Sequence, residues 1–533
     1  MNIYAEDKPE FTGGLQLPNC TTFIDNNARL TEKQALYFPA KDYGYTYREL
    51  FDKVNTWSGI LTELGVSKGD RVGIYLPSNP EYVILYFAVW RIGAVAVPMN
   101  IVLKPAEIRY LLEDSGAKLL VTNSSGEQNA KKGAMSCPDI LPVSYISIDS
   151  EEWKISEEKS GKFFRPADCR MDDLCQLQYT SGTTGRQKGA MLTHGNWIAA
   201  LDTEREVLGL TGDDVFLGIY PMAHVGVSWG ISALKAGATW IIIERFDPDE
   251  YIGLAERFSA TVIAGMPPVI HSLLKMPDGT EKKLSSAKEM ISGGGPLHPG
   301  VWKEFHSRFG IPIVNAYGLS ETIVVGTGTA IIPGDYESAD RYRSVGRPVG
   351  YSEVKIVSPK DPTAELPADE IGEIALRGPG VAKGYWNMEE ETKAVFISDG
   401  WFLTGDMGFI DPDGRVSITD RKKDMIVMSG WKIYPTEIEK AMIEHPDIDD
   451  IALFGCPDVH RGEIPVAAIV PAKGIVPDVK ALEDFAKSRL AGYKVPRRYI
   501  IMKELPRVNG WKLLRKELRV QYCNDCDKKE RNE

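Results

Sequence analysis

Between Tyr179 and Gly189 the chain reads Tyr-Thr-Ser-Gly-Thr-Thr-Gly-Arg-Gln-Lys-Gly. Gly182, Gly185 and Gly189 let the backbone turn several N–H groups toward one point, and Thr180, Ser181, Thr183 and Thr184 add hydroxyls. Lys188 adds a cation. A segment of this kind can cradle a phosphate. It is not the GxxxxGK[ST] loop, because Gln187 stands five positions after Gly182 where that pattern has glycine, and it does not match GxGxxG. A Ser/Thr/Gly-rich surface turn has the same composition, so this stretch alone leaves both readings open.

Three further segments carry chemistry of the same kind. Ser292-Gly293-Gly294-Gly295-Pro296 follows the strand pattern at 289–291, Asn315-Ala316-Tyr317-Gly318-Leu319-Ser320-Glu321 follows 311–314, and Phe402-Leu403-Thr404-Gly405-Asp406 closes another strand pattern. In open parallel sheets ligands bind beyond the carboxyl ends of strands. Glycines there admit a planar base, Tyr317 can stack on it, and Asp406 can accept from two ribose hydroxyls. Glu321 can hold Mg²⁺, which takes one or two carboxylates plus substrate phosphates. Each residue also fits a plain structural placement; together the four segments favour one nucleotide.

These segments need strands and helices to hold them. Thr46 and Glu49 form a capping box ahead of the apolar positions Leu50, Phe51, Val54, Trp57, Leu61 and Leu64, and Gly65 ends that helix. A strand at 71–76 follows. Asn79 and Pro80 suit N-cap and N1 of a second helix closed by Gly93, the strand 94–99 comes next, and Pro105 opens a third helix before a strand at 118–123. This β-α-β-α-β order predicts a parallel-rich sheet covered by helices. The rhythm resumes after residue 210. Near residue 340 it gives way to short strands and turns, which predicts a smaller antiparallel or barrel-like unit. From about residue 424 strands mix with amphipathic helices, and Thr436 with Glu439 reads as another capping box.

With 533 residues, the chain is long enough for three to four domain-sized units; 43% hydrophobic and 26% charged residues place it among ordinary globular proteins. The net charge of −12 excludes a global basic field for nucleic acid or anionic membrane, so phosphate must be bound by local groups. Seven cysteines are sparse and odd in number, which argues against a disulfide scaffold and for a reducing compartment; Cys523 and Cys526 lack a second pair for zinc and read as incidental tail thiols. The first residues lack a basic region followed by an apolar one, and the apolar stretch 82–103 is broken by Arg91, Gly93, Pro98 and Asn100. A cytoplasmic protein without an integral membrane segment is the expectation; monomer and homo-oligomer stay undecided.

The segment at 179–194 resembles the phosphate loop of the adenylate-forming superfamily of acyl-CoA synthetases, peptide-synthetase adenylation domains and luciferases. The other signatures follow in family order: the glycine segment 292–297, the tyrosine–glycine–glutamate segment 315–322, the aspartate segment 401–408, the hinge and thioester segment 420–439, and the lysine segment 505–519. The resemblance spans nearly the whole chain. It implies an α/β fold with a large N-terminal multi-subdomain block over 1–420, parallel-rich sheets flanked by helices plus a small β-barrel-like unit. A hinge at 421–424 and a small mobile α+β C-terminal domain over 425–533 would follow.

The resemblance also implies residue roles. Thr180, Ser181, Gly182, Thr183, Thr184 and Lys188 would bind the phosphates of ATP. Gly293, Gly294, Gly295, Asn315, Ala316, Tyr317, Gly318 and Ser320 would frame the nucleotide, and Asp406 with Arg421 would hold ribose. Glu321 and Thr180 would bind Mg²⁺, Lys512 would be the catalytic lysine, and Lys423 the hinge. His224, Val225, Gly226, Trp229 and Gly318 would line the acyl pocket, with His224 as its gate; Gly430, Trp431 and Lys432 would line a CoA tunnel. Trp511 replaces the glycine usual before the lysine, and Trp431-Lys432 replaces smaller or amide residues.

The implied reaction joins a carboxylic acid to coenzyme A through an acyl-AMP, releasing AMP and pyrophosphate. Short-acid enzymes of the family fill the pocket with tryptophan where this chain has Gly318. That favours a medium- or long-chain fatty acid, ahead of a cyclic or aromatic one. A stand-alone adenylation enzyme that loads a carrier protein is the alternative, and luciferase-like oxidation is further off.

Overall fold

The computed structural model describes residues 19–135, 144–159, 164–181, 187–295, 297–331, 344–429, 431–508 and 512–523, without the side chains of Ser181, Lys432, Val508 and Lys512. The chain divides into two compact units. One comprises 1–354 with 375–403, the other 355–374 with 404–533.

The first unit is built on two sheets. In the six-stranded sheet the order is Ser144–Ser147, Leu119–Thr122, Arg71–Leu76, Val95–Asn100, Leu174–Ser181, Gln187–Thr193. Its strands run parallel except for the last pair, a hairpin. The expected β-α-β-α-β run is therefore present. The helix Tyr47–Glu63 carries the Thr46/Glu49 capping box, and Asn79 Oδ1 accepts from Tyr82 N–H at 3.0 Å to start Pro80–Arg91. Gly65 and Gly93 end these helices at positive φ. Nearly every residue of Pro80–Arg91 is buried, as expected of a helix apolar on all sides. Its one cation, Arg91, makes a two-pronged pair with Asp25 at 2.7 and 2.8 Å.

The second sheet of this unit has nine strands in the order Arg347–Pro348, Val324–Ala330, Ile313–Leu319, Glu289–Ser292, Val262–Ala264, Val215–Gly218, Thr239–Ile242, Gln34–Phe38, Tyr43–Thr46. Its middle is parallel and both ends antiparallel. Parallel strands buried on both faces read as continuous apolar runs. That is why 215–218, 239–242 and 262–264 were legible without alternation.

Most residues of a five-stranded sheet belong to the second unit; its order is Asp361–Glu365, Glu353–Ser358, Gly372–Arg377, Phe402–Ile410, Val416–Arg421. The second unit also holds an α+β portion whose long hairpin, Ile448–Asp458 with Gly462–Pro471, packs under Pro435–Met442 and Val479–Arg489.

Two expectations are corrected here. Thr436 with Glu439 is not a capping box: the helix starts at Pro435, and its Thr436 N–H is capped at 2.8 Å by Asp420. Glu439 instead faces inward, where it binds Arg515 through both oxygens at 2.7 Å and accepts from Leu453 N–H at 2.6 Å. Cys523 is not an incidental thiol either. It is disulfide-bonded to Cys456, which the cysteine count could not foresee because the partners are 67 residues apart.

Candidate active site

The hairpin Leu174–Ser181/Gln187–Thr193 places Thr180 opposite Lys188 and Ser181 opposite Gln187. Gly182, Thr183 and Thr184 lie outside the described residues. The base of the hairpin is fixed from both sides. Tyr179 donates to Asp114 at 2.6 Å, and Tyr110 donates to Gln187 O at 2.7 Å. The segment 383–386 runs along the other edge: Met191 N–H to Gly384 O at 2.9 Å, Lys383 N–H to Met191 O at 3.0 Å, and Trp386 N–H to Gly189 O at 2.8 Å.

That segment brings in a residue the sequence reading missed. The Lys188 ammonium stands over the Tyr385 ring, 4.9 Å from its centroid, and the Tyr385 hydroxyl donates to Glu321 Oε1 at 2.9 Å. Glu321 is buried, and its carbonyl oxygen accepts from Ala382 N–H at 2.7 Å. Burial and the Glu321 charge push the Tyr385 phenol well above its ordinary value. It therefore stays a neutral donor to Glu321. A carboxylate oriented by a phenol donor is a ligand type that a hard cation such as Mg²⁺ takes. The hint in the sequence was Gly384-Tyr385: Gly384 takes φ +136°, a turn that only glycine makes readily.

Glu321 sits in a short turn, Ser320–Thr322, after the strand Ile313–Leu319. The next two residues, Ile323 and Val324, have φ of +48° and +50°. β-branched residues rarely adopt this conformation, which costs on the order of 1–3 kcal/mol per residue and collects at functional sites. The turn folds back so far that a Cβ on Gly318 would meet Val324 O at 1.6 Å. Gly318 is therefore demanded by the backbone.

The expected adenine-side residues do come together. Glu289–Ser292 and Ile313–Leu319 are parallel neighbours with Ser292 in register with Asn315. The Gly293–Gly295 turn thus leaves one strand where Asn315, Ala316 and Tyr317 run along the next. A Cβ on Gly293 would sit 3.1 Å from Ala316 O, and Gly294 takes φ +79°. Asn315 is buried and donates to Ser344 O at 3.3 Å; Tyr317 is buried.

On the acyl side, His224 is half-buried and leads the 3-10 turn Val225–Val227 into the helix Ser228–Ala236, which carries buried Trp229. Gly226 backs onto the Tyr220 ring. Gln178, on the strand leading to Thr180, donates to Ala223 O at 3.0 Å and ties this segment to the phosphate hairpin.

In the second unit, Asp406 and Arg421 are directly registered across adjacent strands, with Arg421 Nε 3.1 Å from Asp406 Oδ1. Asp406 is buried. The turn before it is organised by another residue the sequence reading missed. Glu373, also buried, accepts from Gly405 N–H at 3.1 Å and pairs with Lys422 at 2.7 Å, while Thr404 Oγ1 accepts from Asp406 N–H at 3.1 Å. Burial and the neighbouring Arg421 hold the Lys423 ammonium below its ordinary value. Trp431 is 58% exposed and stacks on Tyr493 with ring centroids 4.8 Å apart. Gly430 and the side chains of Lys432 and Lys512 lie outside the described residues; the Lys512 backbone pairs with Val508 in a short two-stranded ribbon.

Residues 23–386 match the model of the AMP-binding enzyme family, and 437–510 match that of the AMP-binding enzyme C-terminal domain. The chain belongs to the AMP-binding enzyme family. It is 35% identical over 557 residues to a long-chain-fatty-acid–CoA ligase of Bacillus subtilis (strain 168), covering 97% of this chain and 96% of that protein. It is 33% identical to a feruloyl-CoA synthase of an Amycolatopsis species, covering 90% of this chain and 94% of the relative. Among solved structures, ATP-bound MatB from Rhodopseudomonas palustris superposes with a TM-score of 0.87 at 30% identity, covering 96% and 99% of the two chains. The o-succinylbenzoate CoA synthetase MenE of Bacillus subtilis, in complex with its acyl-adenylate, gives 0.82 at 30% identity over 93% and 97%. This AMP-binding enzyme is thus of the adenylate-forming acid–CoA ligase type. Among its described residues no helix is long and apolar enough to cross a membrane.

Proposed function

We propose that this enzyme activates a medium- or long-chain fatty acid with ATP and transfers the acyl group to coenzyme A. A carboxylate is a poor acyl donor because oxide is a poor leaving group. Conversion to an acyl-AMP releases pyrophosphate and supplies AMP as the leaving group for attack by the CoA thiol.

The observation that carries the phosphate chemistry is the chain Lys188–Tyr385–Glu321. It sets a cation and a buried carboxylate around one rigid phenol at the base of the glycine loop. Lys188 and the hydroxyl of Thr180 would meet phosphate oxygens, and the loop residues Ser181 to Thr184 would wrap them. Mg²⁺ held at Glu321, with Thr180 beside it, would neutralise triphosphate charge. Gly293, Gly294, Gly295, Asn315, Ala316, Tyr317 and Ser320 would frame adenine, and Asp406 with Arg421 would bind ribose. Lys512 would bridge carboxylate and α-phosphate in the first step. Rotation of the C-terminal domain about Lys423 would then replace it with the CoA tunnel at Gly430, Trp431 and Lys432.

Support for a fatty acid comes from the 35% identical fatty-acid ligase. An aromatic acid is the second reading, favoured by the feruloyl-CoA synthase relative. Acid preference is tested by comparing kcat/KM for palmitate, octanoate, ferulate and acetate. Octanoate or palmitate leading supports the proposal; ferulate leading selects the second reading, and acetate beating octanoate overturns both. A cytoplasmic setting belongs to the same proposal. The Cys456–Cys523 bond weighs against it, and a thiol count on protein taken directly from the cell tests it.

A further inference from the structure

Away from the nucleotide site, three residues remote in sequence converge in the core of the first unit. Cys20 precedes the helix Thr22–Asn27, Cys175 lies on the strand Leu174–Ser181, and His194 opens the helix His194–Val207. All three are buried, with ligand atoms of the two thiols and the imidazole within 4.8 Å of one another. His194 Nδ1 is 3.2 Å from Cys20 Sγ. Cys169 is a third buried free thiol and lies outside this group.

As plain core, this group is poorly satisfied. His194 is fully buried, and its Nε2 has no hydrogen-bond partner. The closest hydrogen bond from backbone to its ring is a long one, Cys20 N–H to Nδ1 at 3.3 Å. Thiols are weak partners, and a buried polar nitrogen without one costs on the order of 1–3 kcal/mol. The surroundings are rigid. His194 N–H donates to Asp173 O at 3.0 Å, Gly195 N–H to Met171 O at 2.8 Å, and Asn19, next to Cys20, donates to Trp90 O at 2.9 Å.

We propose that Cys20, Cys175 and His194 bind a zinc ion through their two thiolates and the imidazole. Zinc takes thiolate and imidazole ligands at the corners of a tetrahedron. With Zn–S near 2.3 Å and Zn–N near 2.0–2.1 Å, tetrahedral edges are about 3.8 Å for S···S and about 3.5 Å for S···N. The 3.2 Å Nδ1···Sγ separation lies near the shorter edge, and all three ligand atoms lie within 4.8 Å of one another. Binding releases the thiol protons to solvent and involves no change of oxidation state. The ion would pin together the start of the first helix, the strand that leads to Thr180 and the helix after the phosphate hairpin. The site is independent of the acid used.

The full-length protein, grown with zinc and purified under reducing conditions without chelator, is analysed by plasma mass spectrometry. The expected result is about one zinc per chain, falling below about one-tenth in Cys175→Ser and in His194→Gln, while Cys526→Ser retains it. Because the first two variants risk misfolding, wild-type protein stripped of metal is also titrated with Co²⁺. A sulfur-to-cobalt charge-transfer band with intense tetrahedral d–d bands is expected, absent when zinc is added first. Wild-type protein that takes up neither ion, or peptide mapping that finds a Cys20–Cys175 disulfide in metal-free protein, overturns the proposal.

Discussion

Tyr385 donates its phenol to Glu321 Oε1 across 2.9 Å while the face of the same ring receives the Lys188 ammonium. One side chain thereby fixes both signs of charge at the phosphate site. Removing only the hydroxyl separates its two jobs. Tyr385→Phe keeps the ring beneath Lys188 and deletes a hydrogen bond to a charged acceptor, worth about 1.5–3 kcal/mol. The expected outcome is a fall of roughly 10- to 100-fold in acyl-AMP formation, with a higher Mg²⁺ requirement and normal thermal stability. Pyrophosphate exchange against Mg²⁺ concentration measures this. Unchanged exchange at limiting Mg²⁺ would remove Tyr385 from the account.

Asp406 and Glu373 should separate in the Michaelis constant. Asp406→Ala loses charge-assisted hydrogen bonds and should raise the KM for ATP at least about tenfold. Glu373 holds the Gly405 N–H and Lys422 and acts on the nucleotide only through that turn. Glu373→Gln keeps an acceptor and should raise the KM for ATP less than Asp406→Ala, with kcat preserved. Steady-state kinetics with ATP varied tests both, and a normal KM in Asp406→Ala would refute the ribose assignment.

Much of this was legible beforehand, for identifiable reasons. The strands of the parallel sheets announced themselves as unbroken apolar runs, and glycine clusters marked the ends of 289–292 and 313–319. Tyr385 and Glu373 stayed hidden because each acts through a partner far away in sequence, 64 positions for Glu321 and 32 for Gly405. Glu439 was misread because a Thr-x-x-Glu spacing looks the same whether the glutamate caps its own helix or reaches into the core for Arg515. The close approach of Val324 O to Gly318 was hidden because it depends on the turn at Ile323 and Val324, which no spacing in the sequence announces.

Lys512→Ala should split the two half-reactions. Acyl-AMP formation is expected to be abolished, while thioester formation from supplied acyl-AMP and CoA is largely spared. Equal loss of both halves would sink the assignment of Lys512 to the first step.

Glu289 offers a test of the fold around the adenine-side strand. Burial with Asp214 nearby pushes its carboxyl from an ordinary 4.5 to about 7. The folded state therefore favours the protonated form. The associated stability is fully present below the unfolded value and is lost as pH rises through about 7, on the order of 3 kcal/mol in all. Glu289→Gln removes the titration. Relative to wild type, its denaturant midpoint should improve steadily between about pH 4.5 and 7.5; a difference independent of pH would contradict the shift.

The central claim is that this enzyme consumes ATP to make an acyl-CoA. The most direct measurement mixes purified protein, ATP and Mg²⁺ with a panel of fatty and aromatic acids, with and without CoA, and quantifies AMP and thioester together. The account predicts sustained AMP release only when acid and CoA are both present, with one acyl-CoA formed for each AMP. Acid-dependent pyrophosphate exchange that never yields a thioester at saturating CoA, or no acid-dependent ATP turnover across the panel, would contradict it.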